Sequence, residues 1–149
     1  MRSLRIEKYN PNDYLDIDVH GGEVEAREDQ PVQYFARYHN IGGPAMTVKD
    51  ALNTVVACGG VTLLWPGTGE AWLVVCRQVK QYIGLLRVCR IGLEIVKKNH
   101  NLKRIQAVID PRREEAVRFV THLGFEFEAL MKQYGPKGVD KCMYALTED

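Results

Sequence analysis

The 149-residue sequence has no excess of charge of either sign and no long apolar run. Twenty basic and 19 acidic side chains give a formal net charge of +1, and both kinds are spread along the chain. We therefore expect no broad electrostatic surface for nucleic acid or for an anionic membrane, whereas a small anionic ligand stays open. No run approaches the roughly 18 apolar residues of a membrane span, and charged residues interrupt the region where a signal peptide would lie. These absences predict a soluble, cytoplasmic protein.

Cysteine and histidine are also scarce, and neither is spaced as a metal site or a disulfide framework requires. The four cysteines contain no Cys-x-x-Cys pair, which favours reduced thiols. The four histidines lie far apart, so a zinc site would have to be assembled entirely by the tertiary structure. The sequence also lacks the Gly-x-Ser-x-Gly nucleophile elbow and the Walker lysine loop. No metal is expected, and hydrolysis by a serine nucleophile or use of a P-loop nucleotide is disfavoured.

The first half of the chain predicts strands, with one stretch that is hard to assign. Residues 3–8 alternate weakly and predict a short strand, and residues 32–39 predict one or two helical turns within a polar region that carries no interpretable motif. Three further strands are predicted at 45–49, 53–65 and 71–76. The Pro-Gly-Thr-Gly sequence at 66–69 is the turn between the last two, so these three strands should form an antiparallel meander.

Beyond residue 76 the apolar period changes from two residues to 3.6. Apolar side chains at three- and four-residue spacings, up to Val96, predict a long amphipathic helix. A short strand follows at 104–109. A second helix should begin at Asp110-Pro111, because an Asp side chain can cap the first amides and proline at N1 needs no amide partner. Gly124 suits the left-handed position that ends such a helix.

The chain closes with the sequence LGFEFEALMKQYGPKGVDKCMYAL, which predicts a hairpin. Phe125 and Phe127 should face one way, with Glu126 and Glu128 facing the other. The Gly-Pro-Lys-Gly turn at 135–138 then returns the chain as a last strand. A strand-helix-strand segment inside an otherwise antiparallel sheet favours the α+β class with a mixed sheet of six to seven strands, in one domain over residues 1–149.

This order of elements, together with the Leu-Gly-Phe junction and the YGPKG hairpin, resembles the GNAT superfamily of N-acetyltransferases. The resemblance implies the acyl-CoA N-acyltransferase fold with acetyl-CoA between residues 73–76 and 105–109. In that family the fourth and fifth strands splay apart and bind the pantetheine arm with backbone groups, and the loop into the long helix offers amides to the pyrophosphate. The cofactor-binding candidates that this implies are Leu73, Val74, Val75, Cys76, Arg77, Lys80 and Gly84. That loop usually contains several glycines, and here the corresponding stretch has only Gly84. Basic side chains would therefore have to help bind the pyrophosphate.

The resemblance also implies catalytic groups. Glu70 stands near the place of the family's general base on the fourth strand, although a turn-flanking surface carboxylate explains it as well. The tyrosine that often protonates the leaving thiolate is replaced by Val120. Tyr134 and Tyr144 on the final hairpin are candidates to replace it, with Tyr134 preferred, although aromatic residues are common in strands without a catalytic role. The amine acceptor, either a small molecule or a peptide, cannot be read from the sequence.

Three functions remain open at this point. The first is an acetyl-CoA-dependent N-acetyltransferase. The second is a structural or interaction protein, because the altered loop and the YGPKGVD hairpin resemble GNAT-like proteins of tailed phages and prophages, which would place the chain in or near a virion. The third is a module that binds a CoA ester without turnover. Exposed edges near the last strand also make a homodimer conceivable.

Overall fold

The computed structural model describes residues 3–17, 41–77 and 84–148. Its strands are β1 (Leu4–Lys8), β2 (Ala45–Asp50), β3 (Val55–Trp65), β4 (Thr68–Val75), β5 (Arg104–Ile109), β6 (Glu126–Met131) and β7 (Lys141–Thr147). The helices described are α1 (Pro11–Asp16), α2 (Leu85–Asn99) and α3 (Glu114–His122), with a short 3-10 turn at Pro136–Gly138. The helical turns predicted at 32–39 lie outside the described residues.

The seven strands form one mixed sheet in the order β1-β2-β3-β4-β5-β7-β6. All neighbouring pairs are antiparallel except β4 and β5, which run parallel and are connected through the segment that contains α2. A parallel pair needs a crossover connection of this kind, since a tight turn cannot join two strands that run the same way. The predicted α+β class and mixed sheet are therefore confirmed.

Two buried clusters hold the helices on the sheet. One joins the α1 region and the start of α2 to the first strands, and it includes Tyr14, Val56 and Leu85. The other joins α2 and α3 to β5 and β7, and it includes Ile105 and Val120. Gly92 shows how closely α2 lies on the sheet, because a Cβ atom there would stand 2.5 Å from Met46 Cε. Burial of these apolar side chains stabilises the fold by about 25 cal/mol for each Å² removed from water.

The meander differs from the sequence prediction at its turns. β3 begins at Val55, because Asn53 has a positive φ of 67° and belongs to the preceding turn. The second turn consists of Pro66 and Gly67 alone, so β4 begins at Thr68 and not at residue 71. Glu70 therefore lies inside a strand, paired with Thr62 of β3. Its interpretation as a carboxylate beside a turn is wrong.

The start of α3 was predicted three residues too early. Asp110 does accept from an amide, that of Arg112 at 3.0 Å, but this closes a local turn ahead of the helix. The helix begins at Glu114, and Arg113 at its N-cap makes no side-chain capping bond. The Asp110 carboxylate is instead held by the Arg112 guanidinium, whose hydrogen bond is the largest of the effects that lower the pKa of Asp110.

The prediction for Phe125 and Phe127 is also only partly matched. Phe125 is buried at 3% exposure, whereas Phe127 is 59% exposed and contacts the ring of Tyr144 at 5.8 Å. The pairing of β6 with β7 shifts register between Phe127 and Ala129. A bulge of this kind interrupts the simple alternation of faces on which the prediction depended.

The end of α3 agrees with the sequence in detail. Gly124 has a φ of +98°, its amide donates to the Thr121 carbonyl at 3.0 Å, and the Phe125 amide donates to the Val120 carbonyl at 3.0 Å. These two bonds form a Schellman motif, in which a left-handed residue lets the chain satisfy the last helical carbonyls.

We expect Gly124→Ala to destabilise the protein by roughly 1–2 kcal/mol, because an L side chain is disfavoured in the left-handed region. The added Cβ would meet Leu146 Cδ2 at 3.4 Å, an ordinary contact, so the cost comes from the backbone. Chemical denaturation measures the change. Gly84→Ala is the matched control, since Gly84 has a φ of −74° and an added Cβ there would make only an ordinary contact with Leu4 Cδ1 at 3.6 Å. Equal effects of the two substitutions would contradict the explanation.

Candidate active site

Strands β4 and β5 separate soon after they meet. Their register pairs run only from Thr68 with Arg104 to Glu70 with Gln106. Beyond that last pair β4 continues to Val75 beside β3, and β5 continues to Ile109 beside β7. In the part of the chain that the structure describes, no register pair joins β4 and β5 over these distal halves. The gap between residues 71–75 and residues 107–109 is called the cleft below.

The hydrogen-bonding pattern of β4 decides which backbone groups are directed toward the cleft. The Cys76 amide donates to the Val56 carbonyl on β3 at 2.8 Å. In an antiparallel pair, residues alternate between bonding the neighbour and pointing away from it. Val74 therefore also bonds to β3, whereas the amide and carbonyl groups of Leu73 and Val75 are directed away from β3, toward the cleft.

The other wall of the cleft follows the same rule. The Glu148 amide donates to the Lys103 carbonyl at 3.0 Å, which continues the β5–β7 ladder by one pair. Alternation from that pair directs Ile105, Ala107 and Ile109 toward β7. The backbone of Val108 is directed toward β4, where the strands have already separated. The two walls thus present backbone donors and acceptors that the sheet itself does not use.

The first turn of α2 lies near the end of β4. Leu85 is 2% exposed and belongs to the same buried cluster as Val74 and Cys76. Gly84 occupies the N-cap, and no side chain caps the helix there. The first amides of a helix have no partner within it, and the first turn of α2 carries no acidic residue. This helix end is therefore suited to an anion.

Glu70 lies at the point where the two strands part. Its Oε1 accepts from Gln106 Nε2 at 2.9 Å, directly across the last pair of the β4–β5 ladder. Gln106 Oε1 in turn accepts from Arg104 Nε at 3.1 Å. Both terminal nitrogens of Arg104 donate to the carboxylate of Glu128, each at 2.7 Å. This chain of four side chains is called the carboxylate network below.

The side chain beside Glu70 on the same face of β4 is packed among aromatic rings. The ring centroid of Trp72 lies 5.4 Å from that of Tyr9 and 6.1 Å from that of Tyr14, and both pairs meet edge to face. Tyr9 and Tyr14 are 4% and 8% exposed, so these two rings are buried behind Trp72. Aromatic pairs of this geometry contribute roughly 0.5–1.5 kcal/mol beyond the area they bury.

The structure does not bring Tyr134 to Glu70. Tyr134 follows the end of β6 and is 59% exposed. Because β6 runs in the same direction as β5, Tyr134 lies at the open end of the cleft, with β7 between it and β5. Val120, at the place of the family's tyrosine, is 7% exposed within the second apolar cluster.

The basic residues near α2 divide into different roles. Arg77 is exposed at the end of β4. Lys80 lies outside the described residues, as do the other positions from 78 to 83. Arg90 donates to the His122 carbonyl at 2.7 Å, so it connects α2 with the C-terminal end of α3. This bond gives Arg90 a structural role between the two helices.

Other chemistries find little support in the described residues. No group of three metal-ligating side chains is present among them, and none of their helices combines the length and apolar character of a membrane span. The cysteines form no disulfide. Cys76 is 3% exposed, and burial raises the pKa of Cys89 to about 12. A reactive thiolate is not expected at either position.

Several solved acetyltransferases share this architecture at low sequence identity. The GNAT-family acetyltransferase from Bacillus anthracis has a TM-score of 0.74 at 17% identity, covering 97% of this chain and 94% of that one. A chimera of the Vibrio cholerae spermidine N-acetyltransferase and hSSAT has a TM-score of 0.75 at 12% identity, covering 97% and 95%. The ribosomal-protein-S5-alanine acetyltransferase from Vibrio fischeri has a TM-score of 0.69 at 17% identity, covering 100% and 97%.

The chain has the GNAT acyltransferase fold. No protein-family model and no curated protein matches the sequence, so the likeness is one of fold. Within the GNAT fold, sequence reasoning missed Gln106 and the Arg104–Glu128 pair. One signal was present: Gln106 is the polar residue in the middle of the apolar strand RIQAVI. Strand alternation places it on the same face as Arg104.

Proposed function

We propose that the protein is an acetyl-CoA-dependent N-acetyltransferase that transfers an acetyl group to an amine. The observation that carries the proposal is the cleft, with unused backbone groups on both walls and Glu70 where the walls meet. Function must be argued from a site and not from a fold, because one fold hosts many activities. The GNAT fold of the neighbours agrees with this function but does not by itself assign it.

The described residues fit the cofactor that this function needs. The peptide-like arm of CoA carries amide donors and acceptors, and the backbones of Leu73 and Val75 on β4 and of Val108 on β5 offer the complementary groups. Val74 and Cys76 would contribute by holding β4 against β3. The first amides of α2 after Gly84 would receive the phosphates, assisted by Arg77 and Lys80.

Glu70 would act as the general base. When bound, acetyl-CoA supplies an acetyl group that is activated as a thioester. Glu70 takes a proton from the ammonium form of the acceptor, so that the nitrogen lone pair can bond to the acetyl carbon. The carbon–sulfur bond breaks, and the second proton lost by the nitrogen goes to the sulfur. Tyr134, beyond the end of β6 at the open end of the cleft, stays the candidate for delivering that proton.

The acceptor is proposed as an amine, either a small molecule or a peptide terminus. Two of the structural neighbours act, by their names, on spermidine and on the alanine of a ribosomal protein. The aromatic wall at Trp72 lies on the same strand face as Glu70, and we propose that it borders the acceptor. Cytoplasmic location and the exclusion of nucleic acid and membrane as partners stay predictions.

The alternatives are separated by one binding experiment. Acetyl-CoA at 100 times its dissociation constant should stabilise the protein by roughly 2.7 kcal/mol, which raises the melting temperature by several degrees. Thermal shift with acetyl-CoA and with CoA measures this, and ATP at the same concentration controls for phosphate binding alone. No shift with either thioester or thiol would contradict the proposal and favour a structural role, including the virion role and its phage partner. A shift without thiol release from a panel of amines and peptides would favour a binding module.

A homodimer remains a separate proposal. β1 and β6 are the two edges of the sheet, and β6 is exposed along almost its whole length. However, its bulge and its acidic residues are features that oppose edge-to-edge pairing. Light scattering coupled to size exclusion would decide the oligomeric state.

A further inference from the structure

The carboxylate network has only one arrangement of donors and acceptors. Arg104 can only donate, and the carboxylate oxygens of Glu128 and Glu70 that bind the network accept. Gln106 stands between a donor and an acceptor, so its oxygen must face Arg104 and its nitrogen must face Glu70. The observed contacts have this orientation. The orientation of the Gln106 amide, which is ambiguous for an isolated glutamine, is therefore fixed by its neighbours.

The network is also anchored at its far end. Glu128 of β6 binds Arg104 of β5 through two parallel bonds, each 2.7 Å long. Paired contacts of this kind fix the plane of the guanidinium as well as its position. Hydrogen bonding to Glu128 raises the pKa of Arg104, and hydrogen bonding to Arg104 lowers the pKa of Glu128. Because Arg104 is held in this way, its Nε keeps a constant direction toward Gln106.

The bond between Gln106 and Glu70 crosses the point at which β4 and β5 part. Glu70 and Gln106 are the last register pair of the two strands, so no backbone pairing beyond them in the described residues restrains the Glu70 side chain from the side of β5. Gln106 Nε2 occupies Oε1 of Glu70. Among the described residues no side chain is bonded to Oε2, so that oxygen is the one available to an acceptor amine.

We infer that Gln106 is a positioning residue for the acetyl transfer, which holds Glu70 so that Oε2 receives the proton of the acceptor amine. This role rests on the proposed function. Gln106 does not touch the reacting atoms; it acts through Glu70, and Arg104 and Glu128 act through Gln106. The acceptor that this arrangement suits is a protonated amine, whose proton is taken by one defined oxygen of the Glu70 carboxylate.

The test is a double-mutant cycle on the whole protein, with acetyl-CoA and the best amine of a panel, measured by release of the thiol. Gln106→Met keeps the length of the side chain and removes both hydrogen bonds. We expect it to lower kcat roughly 10-fold or more, since small displacements of a catalytic group are costly. The dissociation constant for acetyl-CoA should not change. In a Glu70→Gln background the same substitution should have little further effect, because the carboxylate that it positions is absent.

Two further variants make the result specific. Glu128→Gln weakens the anchor of Arg104 and should lower kcat by a smaller factor than Gln106→Met. Glu114→Gln is its matched control, because Glu114 is an 85% exposed carboxylate that pairs with Arg118 on α3, away from the network. Thermal melting of each variant checks that it folds. If Gln106→Met does not fold, the Glu128→Gln cycle with Glu70→Gln gives the same comparison.

The outcomes are distinguishable. Loss of kcat that disappears in the Glu70→Gln background supports the role of Gln106. An equal fractional loss in both backgrounds, or no loss, overturns that role and leaves the proposed function intact. No thiol release by the native protein with any acceptor overturns the proposed function, and the positioning role falls with it.

Discussion

Glu70→Gln should reduce kcat roughly 10²- to 10⁴-fold at neutral pH, the range typical for loss of a general base. The substitution keeps the size of the side chain and can still accept the hydrogen bond from Gln106 Nε2. It replaces the carboxylate by a neutral amide, which cannot take a proton from the acceptor. Steady-state kinetics with acetyl-CoA and an amine measures the change, and calorimetry should give a dissociation constant for acetyl-CoA close to that of the native protein.

The effect of Glu70→Gln on activity should also depend on pH, in a direction set by the protonation of the acceptor amine. An alkyl amine of the lysine type has a pKa of about 10.4, so at pH 7 nearly all of it carries the proton that the base must remove. As the pH rises toward that value, more of the acceptor arrives already deprotonated. The difference in kcat/KM between the native protein and Glu70→Gln should therefore shrink with rising pH. Glu114→Gln, which removes an exposed carboxylate paired with Arg118, should match the native protein throughout.

A constant ratio at every pH would mean that Glu70 does not remove this proton, and unchanged activity would remove Glu70 from the mechanism. Loss of acetyl-CoA binding together with activity would instead indicate that the side chain supports the cleft. That outcome has a structural basis, because Glu70 lies in the last register pair before β4 and β5 part.

The sequence predicted those elements whose local signals agree with their tertiary setting. The strand at residues 104–109 was placed correctly to the residue, because it is a short apolar run bounded by polar sequence. Gly124 was placed correctly because a left-handed helix end strongly favours glycine. In both cases the local preference and the packing point to the same conformation.

The sequence predictions were wrong where a local sequence signal was real but belonged to a different structural feature. Asp110 does cap an amide, yet that amide belongs to a turn and not to the helix. Thr68 and Gly69 look like turn residues, but a glycine is needed in β4 because a Cβ atom at Gly69 would stand 2.4 Å from Val61 Cγ1. The pairing of Gln106 with Glu70 joins residues 36 positions apart, and no local pattern encodes it. It depends on the register of two parallel strands.

A second prediction concerns the cleft itself. It compares proline substitutions at two adjacent residues, Val75 and Cys76, whose backbone amides point in opposite directions. Val75→Pro removes an amide that is directed into the cleft, and the proline ring fills part of the space before that amide. Cys76→Pro removes an amide that donates to the Val56 carbonyl on β3 at 2.8 Å. Proline is tolerated in a strand only where its missing N–H is not needed by the sheet. The two substitutions should therefore have contrasting effects.

For Val75→Pro we expect acetyl-CoA to bind roughly 10- to 100-fold more weakly, the equivalent of about 1–3 kcal/mol for a polar group left without its partner. Its melting temperature should stay near that of the native protein. For Cys76→Pro we expect unfolding to become easier by about 1–3 kcal/mol, because Val56 is fully buried and its carbonyl would lose its donor. Calorimetry with acetyl-CoA and thermal melting measure the two effects separately.

The contrast tests the direction of the backbone groups in the cleft, which follows from strand alternation. If Val75→Pro destabilised the protein as much as Cys76→Pro does, the Val75 amide would belong to the sheet and the cleft would be narrower than inferred. If Val75→Pro left both stability and acetyl-CoA binding unchanged, the cofactor would not lie between β4 and β5. If Val75→Pro stays stable but binds acetyl-CoA more weakly, the lost amide acted in the cleft. The sheet would not explain the loss, because the Val75 amide has no partner on β3.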